Sequence, residues 1–338
     1  MSTIKDVSRM TGLSISTISK YINGGNVRAE NRSKLDEAIR ALDFKVNPAA
    51  RSLKTNRTMT VGILLPALDV SFFAQIVGDV GARLFKAGYN AYICSYDHDP
   101  AQELRKLSFL LEQQVDGVLL VAEHVSADQL MALPALRDGR TPLVLFDRRI
   151  EGMAADHVLV DSQAVCRFAT EQLLLKGHRR IGLIMGPSDI STAWERMTGY
   201  RQAFEERGLP VDEALIRQGD YSTGAGYQLL GELMDMPSPP TAVFTTNHET
   251  TLGAITAAFE RKLRIPEDLS FIGYDDTQLT QIISPPISIV LQPVAQLAAE
   301  AASLLIRRMR GDREGFPHTA MLEARLLAHP SVAQVGQA

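Results

Sequence analysis

The 338-residue sequence has few of the features that mark secreted, membrane-bound or redox proteins. It contains two cysteines, Cys94 and Cys166, each inside an apolar segment. We expect both to be reduced core residues, which excludes a disulfide framework or a cysteine metal site. No run of 18 or more apolar residues occurs, which argues against a membrane span. The sequence opens on a helix start without a signal-peptide pattern, so we expect a cytoplasmic location.

The usual sequence motifs of enzymes on α/β scaffolds are also missing. We find no P-loop, no G-x-G-x-x-G after a strand, no G-x-S-x-G and no H-E-x-x-H, and we expect no cofactor and no metal. Asp275 and Asp276 resemble a catalytic pair, but neighbouring residues at a strand end point to opposite sides. The C-terminal region has no heptads, so we expect a homodimer without a tetramerising coiled coil. An enzyme is therefore disfavoured.

Charge is divided unevenly along the chain. Residues 1–60 hold 11 Lys and Arg against 5 Asp and Glu, a net charge of +6. The other residues hold 24 against 34, a net charge of −10, although the whole chain carries only −4. A basic segment of this size has the local positive field that contact with phosphates requires.

The basic segment has the spacing of a helix-turn-helix. Thr3 and Asp6 form a capping box that starts a first helix, and Gly12 permits the left-handed turn that ends it. Its apolar stripe consists of Ile4, Val7 and Met10. Ser14 caps a second helix over residues 15–23, with Ile18, Tyr21 and Ile22 inward and Ile15, Ser16, Ser19 and Lys20 outward. Short side chains and one cation on its outer face suit a DNA major groove. A third helix is predicted over 32–42, with Leu35, Ala38, Ile39 and Leu42 on one face.

From Val61 onward, short apolar runs alternate with helical segments. Strands are predicted at 61–66, 89–96, 116–122, 142–148, 157–161, 180–186, 215–218, 241–247, 269–276 and 287–293. Helices are predicted at 72–86, 101–112, 162–175, 193–207, 250–261 and 294–310, with Gly88, Gly177 and Gly208 as C-caps. Continuous apolar runs separated by helices indicate parallel strands buried on both faces. The fold class is therefore an all-α helix-turn-helix headpiece followed by two doubly wound α/β subdomains.

Polar and aromatic residues collect where these strands end. Ligands of open α/β sheets bind at the carboxyl ends of the strands, so we expect one cleft between the two sheets. Asp147, Asn247 and Asp275 lie at or just beyond three of these ends, and the strand at 180–186 leads to the helix that carries Arg196. Carboxylates and amides suit a polyhydroxylated ligand, and Arg196 leaves room for an acidic group. His248 would add pH sensitivity, although an ordinary loop histidine is the simpler interpretation.

The chain resembles the lactose-repressor (LacI/GalR) family of bacterial transcription regulators. The residues that carry the resemblance are TIKDVSRMTGLSISTISKYING and NPAARSLKTNRTMTVGILLP. In that family the hinge, here residues 48–55, folds on DNA, and Leu53 matches the leucine that wedges into the minor groove. Val46 replaces the usual proline, and Lys20 replaces the usual arginine. The resemblance implies DNA contacts by Thr3, Ser14, Ile15, Ser16, Thr17, Ser19, Lys20, Asn23, Arg28, Asn47, Ala50, Arg51, Leu53 and Lys54.

The same resemblance implies a periplasmic-binding-protein-like regulatory domain with an effector site. The family's effector residues match Asp147, Arg196, Asn247 and Asp275, while Tyr221 matches a stacking aromatic and Phe72 or Phe73 would face it. Two departures are Val70-Ser71, where the family has Asn-Pro, and His248, where it has aspartate. The implied effector site consists of Phe72, Phe73, Asp147, Arg196, Tyr221, Asn247, Asp275 and Gln292.

The resemblance also sets domain limits and a mechanism. The headpiece would span 1–47, the hinge and linker 48–59 and the effector domain 60–330, followed by a tail at 331–338. The N-subdomain would cover 60–161 and 292–322, and the C-subdomain 162–290 and 323–330, with crossings near Asp161, Leu291 and Leu322. We expect a dimer on a pseudo-palindromic operator, switched by a sugar, sugar acid or similar effector. The alternatives are a purine or other metabolite as effector, or a small-molecule binding protein without DNA function.

Overall fold

A computed structural model describes residues 2–22, 25–45, 57–275 and 282–336. The chain divides into two compact units, Met1–Met59 and Thr60–Ala338. Each unit has its own hydrophobic core, so each is described separately.

The first unit contains a helix-turn-helix. Its helices are α1 (Ile4–Thr11), α2 (Ile15–Ile22) and α3 (Ala29–Ala41), the last starting three residues earlier than predicted. The Asp6 carboxylate accepts the backbone N–H of Thr3 at 2.9 Å and its hydroxyl at 2.7 Å. Gly12 ends α1 with φ of 68°, and Ser14 Oγ accepts the backbone N–H of Thr17 at 3.2 Å. The predicted caps are therefore confirmed.

The core of this unit joins all three helices. Val7, Ile18, Leu35 and Ala38 are fully or almost fully buried, with Ile4, Tyr21, Ile22 and Leu42 packed around them. Met10 is 52% exposed, so its predicted place in the apolar stripe is wrong. At i+6 from Ile4, Met10 lies about 120° around the helix from Ile4 and so faces solvent.

The second unit alternates strands and helices. Its first half contains β1 (Thr60–Leu65), α4 (Ser71–Lys86), β2 (Asn90–Ser95), α5 (Pro100–Glu112), β3 (Gly117–Leu120), α6 (Ala127–Met131), α7 (Pro134–Arg137), β4 (Leu143–Phe146) and β5 (Asp156–Val160). Its second half contains α8 (Ser162–Leu175), β6 (Ile181–Met185), α9 (Ser191–Glu205), β7 (Ile216–Gln218), α10 (Thr223–Met234), β8 (Ala242–Thr245), α11 (His248–Glu260), β9 (Ser270–Tyr274), β10 (Ser288–Leu291), α12 (Val294–Met309), β11 (Thr319–Leu322) and β12 (Arg325–Leu327). In the described part of the chain, no helix is long and apolar enough to cross a bilayer.

The strands form two sheets with equivalent strand orders. The described residues of the first sheet have the order β11-β5-β4-β3-β1-β2, and those of the second β12-β10-β9-β8-β6-β7. Neighbours are parallel except β12, which runs antiparallel to β10, whereas β11 is parallel to β5. This is the doubly wound α/β arrangement that the alternating pattern predicts. We call the parts built on the two sheets the first and second subdomains.

The chain passes between the subdomains three times. It crosses at Asp161 between β5 and α8, at 292–293 between β10 and α12, and at 323–324 between β11 and β12. The segment after α12 thus supplies one strand to each sheet. The prediction of a tail from residue 331 is wrong for the described residues. Ser331 is fully buried, its Oγ donates to Phe271 O at 2.7 Å, and its carbonyl accepts the Phe271 N–H at 2.8 Å.

Two other expectations are corrected by the structure. Strand β2 is an edge strand, so it is not buried on both faces as predicted; Tyr92 is 49% and Ile93 44% exposed. Cys94 on the same strand is therefore only half-buried, whereas Cys166 is a core residue as expected. Helix α10 lacks a counterpart among the predicted helices because Gly224, Gly226 and Gly231 lower its helical propensity.

Candidate functional site

A cavity of about 900 Å³ lies between the two sheets of the second unit. Its walls come from the loops that follow β1, β2, β3 and β4 in the first subdomain and β6, β7, β8 and β9 in the second, which is where an open α/β sheet binds ligands. All eight predicted effector residues line it: Phe72, Phe73, Asp147, Arg196, Tyr221, Asn247, Asp275 and Gln292. His248, the first residue of α11, also lies in the wall.

Three of these residues have left-handed backbone conformations. Asp147, Tyr221 and Asp275 have φ of 65°, 68° and 67°. Left-handed geometry is uncommon for residues other than glycine and concentrates at functional sites, where the surrounding structure maintains the strain. The Tyr221 ring lies against Gly186, where an added Cβ would stand 2.1 Å from the ring. Gly186 is therefore required for Tyr221 to occupy this wall.

Several buried polar atoms in the cavity wall have no hydrogen-bond partner among the described residues. They include Asp275 Oδ1, Gln292 Oε1 and Arg196 Nε. The other carboxylate oxygen of Asp275 accepts the Gln292 side-chain N–H at 2.8 Å, so the pair is held in place with one acceptor left on each residue. Unsatisfied buried polar groups are rare in native proteins, and a cluster of them indicates a ligand or water site.

Arg196 is fixed by its surroundings and presents little of its charge to the cavity. Its Nη1 donates to the Thr246 carbonyl at 2.6 Å, and its guanidinium lies 4.4 Å from the centroid of the Tyr274 ring. Burial would lower the pKa of Arg196, but Tyr274, Tyr221 and the carboxylates of Asp147 and Asp275 raise it. The guanidinium therefore already balances carboxylates of the protein.

Burial has the opposite effect on Asp275. Burial, reinforced by the Asp147 charge, raises the pKa of Asp275 to about 7, against the lowering effects of Arg196 and the Gln292 hydrogen bond. Asp275 thus gains and loses a proton near neutral pH when the cavity holds no ligand.

Asn247 is positioned mainly by contacts within the protein. Its side-chain N–H donates to the Tyr221 carbonyl at 3.0 Å and to Glu249 at 2.7 Å, and its Oδ1 accepts the Thr250 N–H at 3.1 Å as the cap of α11. Asn247 therefore ties Tyr221 to α11, and a ligand contact by its amide would compete with these bonds.

The cavity also contains a charged cluster that the sequence analysis missed. Glu123 Oε1 lies 2.5 Å from Arg148 Nη1, and Glu123 Oε2 lies 3.0 Å from His98 Nδ1. Burial would raise the pKa of Glu123, but the His98 hydrogen bond and the Arg148 charge lower it to about 2. The sequence feature that could have identified this cluster is the position of Glu123 and Arg148, which follow the buried strands β3 and β4.

A second buried carboxylate holds this cluster in place. Glu103 on α5 is fully buried and accepts the backbone N–H groups of Glu123 and His124 at 2.9 and 2.8 Å. These two bonds fix the loop after β3, which carries Glu123.

The headpiece presents the outer face of α2 to solvent. Ile15 is 45% exposed, and Ser16 and Lys20 are also exposed. The hydroxyls of Ser14 and Thr17 lie 2.9 Å apart, and Arg28 is exposed just before α3. Thr3 is exposed before α1 and Ser19 is half-buried on α2. The predicted DNA contacts at Asn23, Asn47, Ala50, Arg51, Leu53 and Lys54 lie outside the described residues.

Relatives of known role match the chain along its whole length. The HTH-type transcriptional repressor PurR of Actinobacillus pleuropneumoniae serotype 3 (strain JL03) is 31% identical over 100% of both chains. The HTH-type transcriptional regulator DegA of Bacillus subtilis (strain 168) is 32% identical over 92% of this chain and 93% of its own. The chain belongs to the LacI/GalR family. Its recognition from the sequence motifs is thereby confirmed.

Family and structural comparisons agree with this assignment. The periplasmic binding protein-like domain family matches residues 170–332. A lac repressor dimer bound to operator and an anti-inducer has a TM-score of 0.87 over 98% of this chain and 99% of its own, at 23% identity. A CelR–cellobiose complex has a TM-score of 0.72 and 30% identity over 98% of this chain and 100% of its own. As a LacI/GalR member, the chain is a DNA-binding transcriptional regulator that responds to a small molecule, and it is not an enzyme.

Proposed function

We propose that this regulator binds a pseudo-palindromic operator as a dimer and that the cavity between its subdomains holds the effector, a polyhydroxylated small molecule. The observation that carries the proposal is the set of unpartnered buried atoms on Asp275, Gln292 and Arg196, in a cavity lined by all eight residues expected to bind effector. Two acceptors and one donor match a pair of neighbouring hydroxyls, since each hydroxyl both donates and accepts.

The apolar part of the wall supports a ring-shaped ligand. Phe72 and Phe73 pack edge-to-face with centroids 5.3 Å apart, and Tyr221 contributes a third ring from the other subdomain. Aromatic faces cover the C–H surface of a sugar, while the carboxylates bind its hydroxyls. The cellobiose bound by CelR, at 30% identity, is in keeping with a carbohydrate.

The charges of the wall favour an uncharged effector over a sugar acid or phosphate. Arg148 is paired with Glu123, and Arg196 is balanced by Asp147 and Asp275. An added anion would face these carboxylates, while the guanidinium groups of Arg148 and Arg196 are already balanced by them, and like charges in a buried site repel. The sequence pattern left room for an acidic group at Arg196, and the arrangement of these charges disfavours one.

The proposed dimer contact uses an exposed surface of the second unit, and the proposed operator contact uses an exposed surface of the first. Apolar residues along the edge strand β2 and its neighbouring helices are exposed, including Tyr92, Ile93, Phe85 and Phe109. A patch of this kind on an edge strand needs a partner, and a second copy of the chain satisfies a two-fold operator. In the headpiece, Lys20 on α2 would contact guanine in the major groove, and Leu53 would be the minor-groove wedge.

Operator selection tests the DNA-binding half of the proposal. Full-length protein is incubated with a randomised duplex library, and the bound sequences should contain an inverted repeat. Lys20→Ala should reduce guanine preference at one symmetric base pair, a loss of about 1–3 kcal/mol per contact. Lys34→Ala on α3 removes the same charge and should leave the preference unchanged. A motif without two-fold symmetry would contradict the dimeric mode.

A thermal-shift screen tests the effector half. Neutral sugars, sugar acids, sugar phosphates, nucleosides and purines are compared at equal concentration. A ligand at about 100 times its Kd adds roughly 2.7 kcal/mol to stability. Neutral sugars should give the hits, and Asp275→Asn should remove them. A purine hit would replace the polyhydroxylated effector with a planar one held by Tyr221.

A further inference from the structure

A lateral notch of about 290 Å³ adjoins the effector cavity. It is lined on one side by the loops after β3 and β4 and on the other by the loop between β6 and α9. Notch and cavity share four lining residues, Glu123, Arg148, Asp189 and Ile190. The two spaces therefore adjoin along these residues.

Trp194, the only tryptophan of the sequence, lines the notch from the first turn of α9. It is 53% exposed, which is unusual for the largest apolar side chain. Polar residues surround it in the notch, including Ser188, Ser191 and Glu151. An aromatic face with hydroxyl and carboxylate neighbours can stack on the C–H face of a ring and hydrogen-bond the ring's hydroxyls.

The wall between notch and cavity contains an unsatisfied polar atom. The Arg148 side chain is only 6% exposed, and within the described part of the chain its Nε donates no hydrogen bond; an Asp147 oxygen lies 3.6 Å away. Because Arg148 lines both spaces, its buried Nε–H can donate to an oxygen of a ligand that occupies both.

Direct contacts between the subdomains border the same notch. The Arg149 backbone N–H donates to Ser191 Oγ at 3.3 Å, and Arg149 Nε lies 3.5 Å from Glu195 Oε1. A ligand unit on Trp194 would therefore touch both subdomains where they meet, and its binding would bias their relative position.

We propose, on the basis of the effector role assigned to the cavity above, that the notch is a second ligand subsite and that the effector is a glycoside of at least two units. The first ring occupies the cavity between Asp147 and Asp275, and the second stacks on Trp194. Trp194 is then a residue that sets specificity for ligand length.

Tryptophan emission measures occupation of the notch directly, since Trp194 is the only source. Full-length protein is titrated with paired probes: glucose with cellobiose and maltose, galactose with lactose and melibiose, xylose with xylobiose, and mannose with mannobiose. At least one disaccharide should bind about tenfold tighter than its monosaccharide and change the emission, as expected for one added aromatic contact.

Three variants assign the effect to the notch. Trp194→Ala should remove the roughly tenfold advantage of the disaccharide and leave the monosaccharide Kd unchanged, measured by calorimetry. Trp194→Phe should keep most of the advantage, because the stacking face remains. Phe168→Ala removes another exposed aromatic, on α8 outside the notch, and should change neither Kd.

Equal affinity for a disaccharide and its monosaccharide would overturn the second subsite, as would an unchanged preference in Trp194→Ala. Failure of every glycoside in the panel to bind would also overturn it. Operator selection with the same protein tests its DNA-binding function separately from its ligand binding. Disaccharide binding that survives Asp275→Asn would contradict the role of the cavity itself, independently of Trp194.

Discussion

Asp147 and Asp275 occupy equivalent positions in the two subdomains. Asp147 directly follows β4 and Asp275 directly follows β9, and these strands have the same place in their sheets. The Asp147 N–H donates to Val158 O at 2.9 Å, and the Asp275 N–H donates to Val290 O at 2.8 Å, each across to the next strand. Both residues have left-handed backbone conformations, and both line the cavity. One ligand can therefore bind a carboxylate of each subdomain and link the two.

Neutralising either carboxylate should weaken effector binding while leaving DNA binding intact. Asp147→Asn and Asp275→Asn each replace a charged acceptor by a neutral one, and we expect about a tenfold to hundredfold rise in effector Kd. Operator affinity without effector should stay at the wild-type value by fluorescence anisotropy. Asp128→Asn, an exposed aspartate on α6, controls for the charge change. Loss of operator affinity without effector would show that the residue supports the fold instead.

Effector affinity should increase with pH across neutrality. The pKa of Asp275 is about 7 in the unliganded protein, above its ordinary value of 3.8, so the carboxyl is largely protonated at pH 6. Ligand hydroxyls that donate to the carboxylate favour the ionised form, so binding releases a proton below pH 7. Calorimetry should show Kd falling between pH 6 and pH 8, by at most about tenfold per unit. The Asp275→Asn protein should lack this dependence; if it keeps the dependence, one of the cavity histidines is responsible.

Sequence patterns predicted most of the second unit because its strands are buried apolar runs and its ligand residues sit where those runs end. That position alone pointed to Asp147, Asn247 and Asp275 as residues of one cavity, whereas Arg196 lies within α9 and was identified by the family resemblance. The Glu123–Arg148 pair was missed because it depends on the adjacency of β3 and β4, which no local pattern encodes. Helix α10 was missed for a related reason: its glycines oppose a helix locally and are explained only by its packing against α11.

Removing one partner of the Glu123–Arg148 pair should strongly destabilise the protein, whereas replacing both residues by apolar ones should have little effect on stability. Glu123→Gln leaves a buried guanidinium without its carboxylate, and we expect a loss of about 3–5 kcal/mol at pH 7 in urea unfolding. The double variant Glu123→Leu with Arg148→Met should recover most of that stability, because no unpaired charge remains. If the loss in the double variant equalled the sum of the losses in Glu123→Leu and Arg148→Met alone, the two residues would not be coupled.

The same pair predicts the acid response of stability. The pKa of Glu123 is lowered to about 2 from its ordinary value of 4.5, so its contribution is complete above pH 4.5. That contribution should be lost as the pH falls from 4.5 toward 2. Glu123→Gln, which cannot titrate at this position, should show a shallower decline of the unfolding free energy over this range.

Two glycines of α10 should respond oppositely to the same substitution. A Cβ at Gly226 would lie 2.3 Å from the carbonyl oxygen and 2.6 Å from the Cα of Thr250 on α11. Neither atom belongs to a flexible side chain, so Gly226→Ala must push the two helices apart, and we expect a loss of roughly 1–3 kcal/mol. At Gly224, two residues earlier, the nearest atom is Ser222 Oγ at 3.8 Å. Gly224→Ala should therefore stabilise the protein by about 0.5–1 kcal/mol through helix propensity alone.

The displacement caused by Gly226→Ala should also reach the cavity. Helix α11 begins at His248 and is capped by Asn247, and both residues line the cavity, so moving its first turn alters that wall. Thermal unfolding and effector Kd should therefore change together in Gly226→Ala, whereas Gly224→Ala should leave Kd unchanged. If both variants were equally stable, the close approach of α10 and α11 at Thr250 would be incorrect. If Gly226→Ala lost stability but kept its effector Kd, the first turn of α11 would not position the ligand.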